Sequence, residues 1–351
     1  MKKKSIIKLI LNIIAMCVPV GLIIYFLTSE NGFVDLLGNA STFNWFWIFT
    51  GVMCQLLNIA IDAYTLHKFT DNYTGTYNYS KAFKCTAIGQ FFSIITPGAV
   101  GGQPMQLYCL KKQNVNTGVA SSVLIQKFLV YQTTITIYSF IATLLNLNMF
   151  SDGMTGVMAT LAAFGFISHA LVIIVMYMFS FNKKLTSNII SSIFNFLAKI
   201  KIIKDPDNKA INLENQLQCF HDSNSQLYKN KSLLVKVVLL TVIQLTLIFF
   251  IPYTIYRGFN FLGANAFDMI TGQAFVIMVS SFMPLPGGSG AAEGSFFVFF
   301  EKYFTPGTIK SAILIWRIIS YFMNIVIFAP FIQLPKNDEI KRRALENEKN
   351  S

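Results

Sequence analysis

FFSIITPGAVGGQPMQLYCLKK, residues 91–112, and SSFMPLPGGSGAAEGSF, residues 280–296, share one feature: each is apolar on both sides of a break where proline and glycine crowd together. Proline removes a backbone donor and clashes with the preceding turn, and clustered glycine favours non-helical backbone. Neither region 85–110 nor region 264–304 can then be one continuous helix. Each is expected to be a re-entrant hairpin, two shorter helices around a turn at 96–104 and 284–294. Four full crossings would leave the chain ends on the same side, but residues 104–110 supply only about 10 Å of helix.

Six uninterrupted apolar stretches lie around these breaks: 5–27, 44–66, 118–145, 156–180, 232–256 and 307–331. Each approaches or exceeds the roughly 20 helical residues needed to cross a hydrocarbon core of about 30 Å. The 351 residues are 54% hydrophobic and 13% charged, whereas soluble domains are roughly 25% charged. The expected fold class is therefore an all-α polytopic membrane protein with six full spans and two re-entrant helical hairpins, or about eight transmembrane segments if the hairpins are counted as spans. No soluble catalytic domain fits in what remains. The basic start is followed by a long apolar run without a small-residue cleavage site, so it reads as an anchor and not as a signal peptide.

The net charge of +12 does not point to nucleic acid, because the basic residues fall between spans and are not interleaved with aromatics on one face. With the N-terminus inside, 23 of the 28 Lys and Arg residues lie on the inner side. Short cytoplasmic loops collect such residues, so both termini are expected in the cytoplasm. The linker 181–231 is the one sizeable polar region. Its first part, 185–203, suits either a helix lying on the inner membrane surface or a connector packed on the protein. Residues 336–351 read as a solvated tail. The five cysteines have no CxxC spacing, and His67, His169 and His221 have no metal-ligand spacing. There is no HExxH, GxSxG, Walker A or dinucleotide fingerprint, so no metal, cofactor or coupling to ATP is expected.

The order span, span, hairpin, span occurs twice, dividing the chain into a first membrane repeat, 1–150, and a second, 151–335. Each half crosses three times, so the second is expected to be inverted relative to the first. Aligning Pro97-Gly98 with Pro286-Gly287 carries Lys127 onto position 316, next to Arg317. Both cations then lie about ten residues into their spans, roughly 15 Å deep. Secondary transporters have this layout, with broken helices meeting at the repeat interface.

A charge at that depth is costly and needs a cavity or a partner, which makes Lys127 and Arg317 the first candidates. Lys127 shares a helix face with Tyr131, Thr134 and Tyr138, a stripe that could line a path. A buried ion pair or snorkelling is the plainer account. Glu293 falls in the first turn of the helix that resumes after the second break. It either complements that helix terminus or pairs with Arg317 or a cationic head group. Gly98, Gly101, Gly102, Gly287, Gly288 and Gly290 would free amides suited to phosphate, or would only permit the turns and close packing. Gln103 and Gln106 add neutral hydrogen-bonding groups. Gln55, Asn58 and Asp62 share one face of the second span, and for Asp62, near the inner end, interfacial solvation is the simpler reading.

The two broken segments, in this order, resemble the paired signatures of the lysylphosphatidylglycerol synthase transmembrane region family. This is the membrane portion of the multiple peptide resistance factor, and the likeness runs over residues 8–334. It implies a flippase that carries aminoacylated phosphatidylglycerol across the membrane and supports resistance to cationic antimicrobial peptides, while a separate C-terminal domain attaches the lysine. Gly101, Gly102, Gln103, Gly287, Gly288, Gly290, Glu293 and Arg317 match the family's pattern. Lys127 departs from it, following a glutamine where relatives would carry an acidic-basic pair. The chain ends about twenty residues after its last span, so lysyl transfer by this polypeptide alone is not expected. The implied partners are membrane phospholipid and a separate aminoacyl-phospholipid synthase. The alternative is a phosphatidylglycerol lysyltransferase or its membrane subunit.

Overall fold

A computed structural model describes residues 43–146, 156–199, 206–283 and 285–332. The predicted span 5–27 and the tail 336–351 lie outside the described residues. In chain order the helices are α1 Trp45–Thr74, α2 Tyr79–Ile95, α3 Gly102–Lys112, α4 Thr117–Leu145, α5 Gly156–Phe181, α6 Lys183–Lys199, α7 Pro206–Lys229, α8 Lys231–Gly258, α9 Ala266–Ser280, α10 Ala291–Phe300, α11 Ile309–Arg317 and α12 Met323–Phe328. No strand occurs among the described residues. Among the described residues, five helices are long and apolar enough to cross a membrane: α1, α4, the 160–181 part of α5, α8 and the bent segment Ile309–Ile332. The chain is a multi-pass all-α membrane protein.

Asparagine opens four of these helices. Asn78, Asn116, Asn230 and Asn265 each accept a backbone N–H of the first turn with their side-chain oxygen, satisfying donors that a helix start leaves unpaired. No water is available to do this inside a bilayer, so caps near its surface mark where spans begin.

Hydrogen bonds and ring contacts trace the direction of the chain. The Asn44 N–H donates to Gly258 O, joining the start of α1 to the end of α8. Asn230 at the start of α8 donates to Asn72 near the end of α1. The two ends of the first hairpin are tied together by Tyr77 to Gln113 (2.5 Å) and Gln113 to Lys81 O (3.1 Å), on the end of the bundle where α1 finishes. The second hairpin starts and finishes beside Phe261 and Phe304, whose rings touch near the end of α8. The hairpins therefore enter from opposite ends of the bundle, and their breaks meet in the middle. Both regions are helical hairpins, as their sequence breaks require.

The linker folds as two helices, α6 and α7. On one side α6 leaves Ile189, Ile193 and Phe196 exposed, the pattern of a helix lying in an interface. By contrast, α7 is a packed connector: Gln216 accepts the Gly118 N–H at 2.8 Å, Asn224 bonds Gln126 of α4, and Tyr73 of α1 bonds Ser223 O.

Candidate functional site

The two breaks have the same local backbone. Gly98 sits at φ 60°, ψ 18° and Gly287 at φ 61°, ψ 17°, each inside a single 3-10 turn that begins at the proline. This left-handed conformation carries a steric penalty for any residue with a Cβ, so the matched Pro-Gly pairs specify matched turns. The surroundings differ. Pro97 to Val100 are exposed, while a Cβ on Gly287 would fall 2.1 Å from the Tyr321 ring.

Glu293 and Arg317 form the charged centre of the second break. Arg317 Nε donates to Glu293 Oε1 at 2.6 Å and Nη1 donates to Gly287 O at 3.0 Å. The second carboxylate oxygen, Oε2, accepts the Gly290 N–H at 2.6 Å. Glu293 thus caps its helix and pairs with Arg317 at the same time, so its two sequence readings are both realised. The guanidinium lies over the rings of Trp316 and Tyr321, and Tyr321 reaches across to Ile94 O, in the last turn of α2 before the first break. Arg317 is 5% exposed, yet its Nη2 is buried with no hydrogen-bond partner among the described residues. Beyond Arg317 the helix makes a π turn, Ile318–Phe322, a rare feature that often marks functional positions.

Lys127 and Asp62 form a second buried pair, 2.7 Å apart, with side chains 14% and 9% exposed. Gln90 of α2 donates to the other Asp62 oxygen at 3.2 Å. The interfacial reading of Asp62 is thereby corrected: the lysine of α4 reaches it inside the bundle, where each charge compensates the other. The departure of Lys127 from the family pattern is also explained, because its acid comes from α1 and not from position 126. Of its predicted stripe, Thr134 and Tyr138 line an apolar cleft of about 490 Å³ between α4, α5 and α8, while Tyr131 packs into a core with Ile135 and Phe249.

A second correction concerns the glycine amides. The Gly101 N–H donates to Thr96 Oγ1, Gly288 N–H to Leu285 O and Gly290 N–H to Glu293. These donors are already satisfied internally, so the cradle expected for phosphate is not built from them. Gly102 serves close packing, since a Cβ there would lie 1.8 Å from Ser93 Oγ. Gln106 is buried against Gly89, and Gln103 is exposed. Sequence reading missed Gln90, Tyr321 and Asn324. Asn324 accepts from Gln55 of the polar α1 face at 3.0 Å, and its position seven residues after Arg317 was the available signal.

Replacing Lys127→Met should strand the Asp62 carboxylate and cost about 3–5 kcal/mol, whereas Asp62→Asn combined with Lys127→Met should cost much less. Thermal unfolding in detergent would separate them; equal losses would show that the pair contributes no mutual compensation.

The family described as "Lysylphosphatidylglycerol synthase TM region" matches residues 7–327. A UPF0104 membrane protein of Archaeoglobus fulgidus is 22% identical over 287 residues, covering 80% of this chain and 84% of that protein.

Proposed function

Because the chain belongs to the lysylphosphatidylglycerol synthase TM region family, we propose that it moves a phospholipid whose head group carries both a phosphate and an amine between the leaflets. An aminoacylated phosphatidylglycerol is such a lipid. The observation that carries the reading is the Glu293–Arg317 pair at the meeting point of the two breaks, with Arg317 Nη2 still unpartnered. Separating a buried pair leaves an uncompensated charge, a loss of several kcal/mol. A head group with both signs replaces both partners: phosphate on the guanidinium, ammonium on the carboxylate. A purely anionic head group answers only one of them. The fatty chains stay in hydrocarbon, and the cleft beside α4 offers them a lateral path.

The test is reconstitution of the full chain in vesicles containing lipids with a fluorescent chain label, read by chemical quenching of the outer leaflet. An amine-bearing phospholipid should cross faster than phosphatidylglycerol, and Glu293→Gln should erase the preference. Equal rates for both lipids would sink the head-group assignment. The family's description also names a synthase, which favours a second reading as the membrane part of a lysyltransferase. Lysyl-phosphatidylglycerol appearing in a host that otherwise makes none would establish it. If the first reading holds in the cell, deletion should raise sensitivity to cationic antimicrobial peptides.

A further inference from the structure

Between the two buried ion pairs runs a ladder of polar groups carried on two helix faces. On α1, Gln55, Asn58 and Asp62 share one face, and on the last span Arg317, Ser320 and Asn324 do the same. The faces meet where Gln55 Nε2 donates to Asn324 Oδ1 at 3.0 Å. Asn58 Nδ2 donates to Gln55 Oε1 at 3.4 Å. Asn324 Nδ2 donates to the Ser320 carbonyl at 2.8 Å, and Ser320 Oγ donates to Trp316 O at 2.6 Å. The π turn Ile318–Phe322 lies within this leg, between Arg317 and Asn324. Each leg spans seven residues, or about 10 Å along its helix. The ladder therefore extends from the level of Arg317, the partner of Glu293, toward that of Asp62.

Polar side chains inside a bilayer are expensive and are kept where they serve a path or a relay. These are slender amide and hydroxyl groups in a packed seam, too narrow for a lipid head group and suited to protons carried on intervening water. Two buried polar atoms along it have no partner among the described residues, Asn58 Oδ1 and Arg317 Nη2, and each offers a place to hold such a water. A carboxylate stands beyond each end of the ladder. Glu293 faces Arg317 and Tyr321 of the last span and the Gly290 amide. Asp62 faces Lys127 and Tyr131 of α4 and Gln90 and Cys85 of α2.

We propose that the seam between α1 and the segment 318–328 is a proton path, and that movement of lipid is driven by proton flow between Glu293 and Asp62. A proton taken up on Glu293 neutralises it and releases Arg317 for a phosphate. It then passes along the ladder to Asp62, displaces the Lys127 contact and leaves at the basic end of the bundle, so one proton enters for each that leaves. The coupling rests on the proposed lipid movement; the path itself does not.

The test loads vesicles of phosphatidylethanolamine and phosphatidylglycerol, carrying the full chain, with a pH-sensitive dye and imposes a potassium diffusion potential. Wild type should carry protons above the protein-free level. Asn324→Leu should fall to that level, and Asn324→Gln, which keeps an amide, should retain flux. Monodisperse elution and unaltered thermal unfolding identify folded variants, and Gln55→Leu provides a second break in the ladder. Absence of flux in wild type, or full flux in either folded leucine variant, overturns the path. Labelled lipid followed in the same vesicles keeps the two ideas distinct. Lipid movement without proton flux leaves the proposed function and removes the drive, and flux without lipid movement does the reverse.

Discussion

Substituting Arg317→Gln is expected to reduce lipid movement to the protein-free level and to destabilise the protein by about 3–5 kcal/mol. The guanidinium serves four neighbours at once, Glu293, Gly287 O and the rings of Trp316 and Tyr321, and the first two link α10 and the break itself to α11. Without it Glu293 remains buried with only the Gly290 amide as a partner. Arg317→Lys restores the charge but cannot donate from two fixed directions, so it should recover only part of the stability. The combination Glu293→Gln with Arg317→Gln removes both charges and should unfold at a temperature nearer wild type while remaining inactive. Retained lipid movement in that double variant would place the head-group site elsewhere.

Gly287→Ala should be damaging where Gly98→Ala is mild, although the two glycines share a conformation to within 1° in φ and in ψ. Each alanine bears about 1–2 kcal/mol for the left-handed backbone. At position 98 the nearest atom to the new Cβ is Val100 Cγ1, 3.8 Å away, which is ordinary contact. At 287 the new Cβ lands inside the Tyr321 ring, and displacing that ring adds about 1–3 kcal/mol of overpacking and removes the Tyr321 bond to Ile94 O. Parallel unfolding curves for the two variants check this. Equal shifts would mean that Tyr321 moves freely aside and does not lock the breaks together.

The fold was legible because proline and glycine punctuate apolar sequence, and the predicted breaks at 96–104 and 284–294 contain the observed turns at Pro97–Ala99 and Pro286–Gly288. Arg317 and Glu293 were legible as a possible pair because they follow the same break. Asp62 was not, since its partner lies 65 positions later on another helix and depth along a single helix says nothing about neighbours. The amides of Gly101 and Gly290 were misjudged for a related reason: the Thr96 hydroxyl and the Glu293 carboxylate, close in sequence, take them first. Gln55 and Asn324 lie 269 residues apart, and only the packing of α1 on the π turn brings them together.

The two breaks share a backbone but not a setting. One is clamped by Arg317 and Tyr321, and the other lies open. The turn backbone is therefore not what holds the second break shut, since the same backbone at Gly98 carries no such clamp. That work falls to three side chains, Glu293, Arg317 and Tyr321, so the hold on the second break can be loosened by substitution while the turn itself is left untouched.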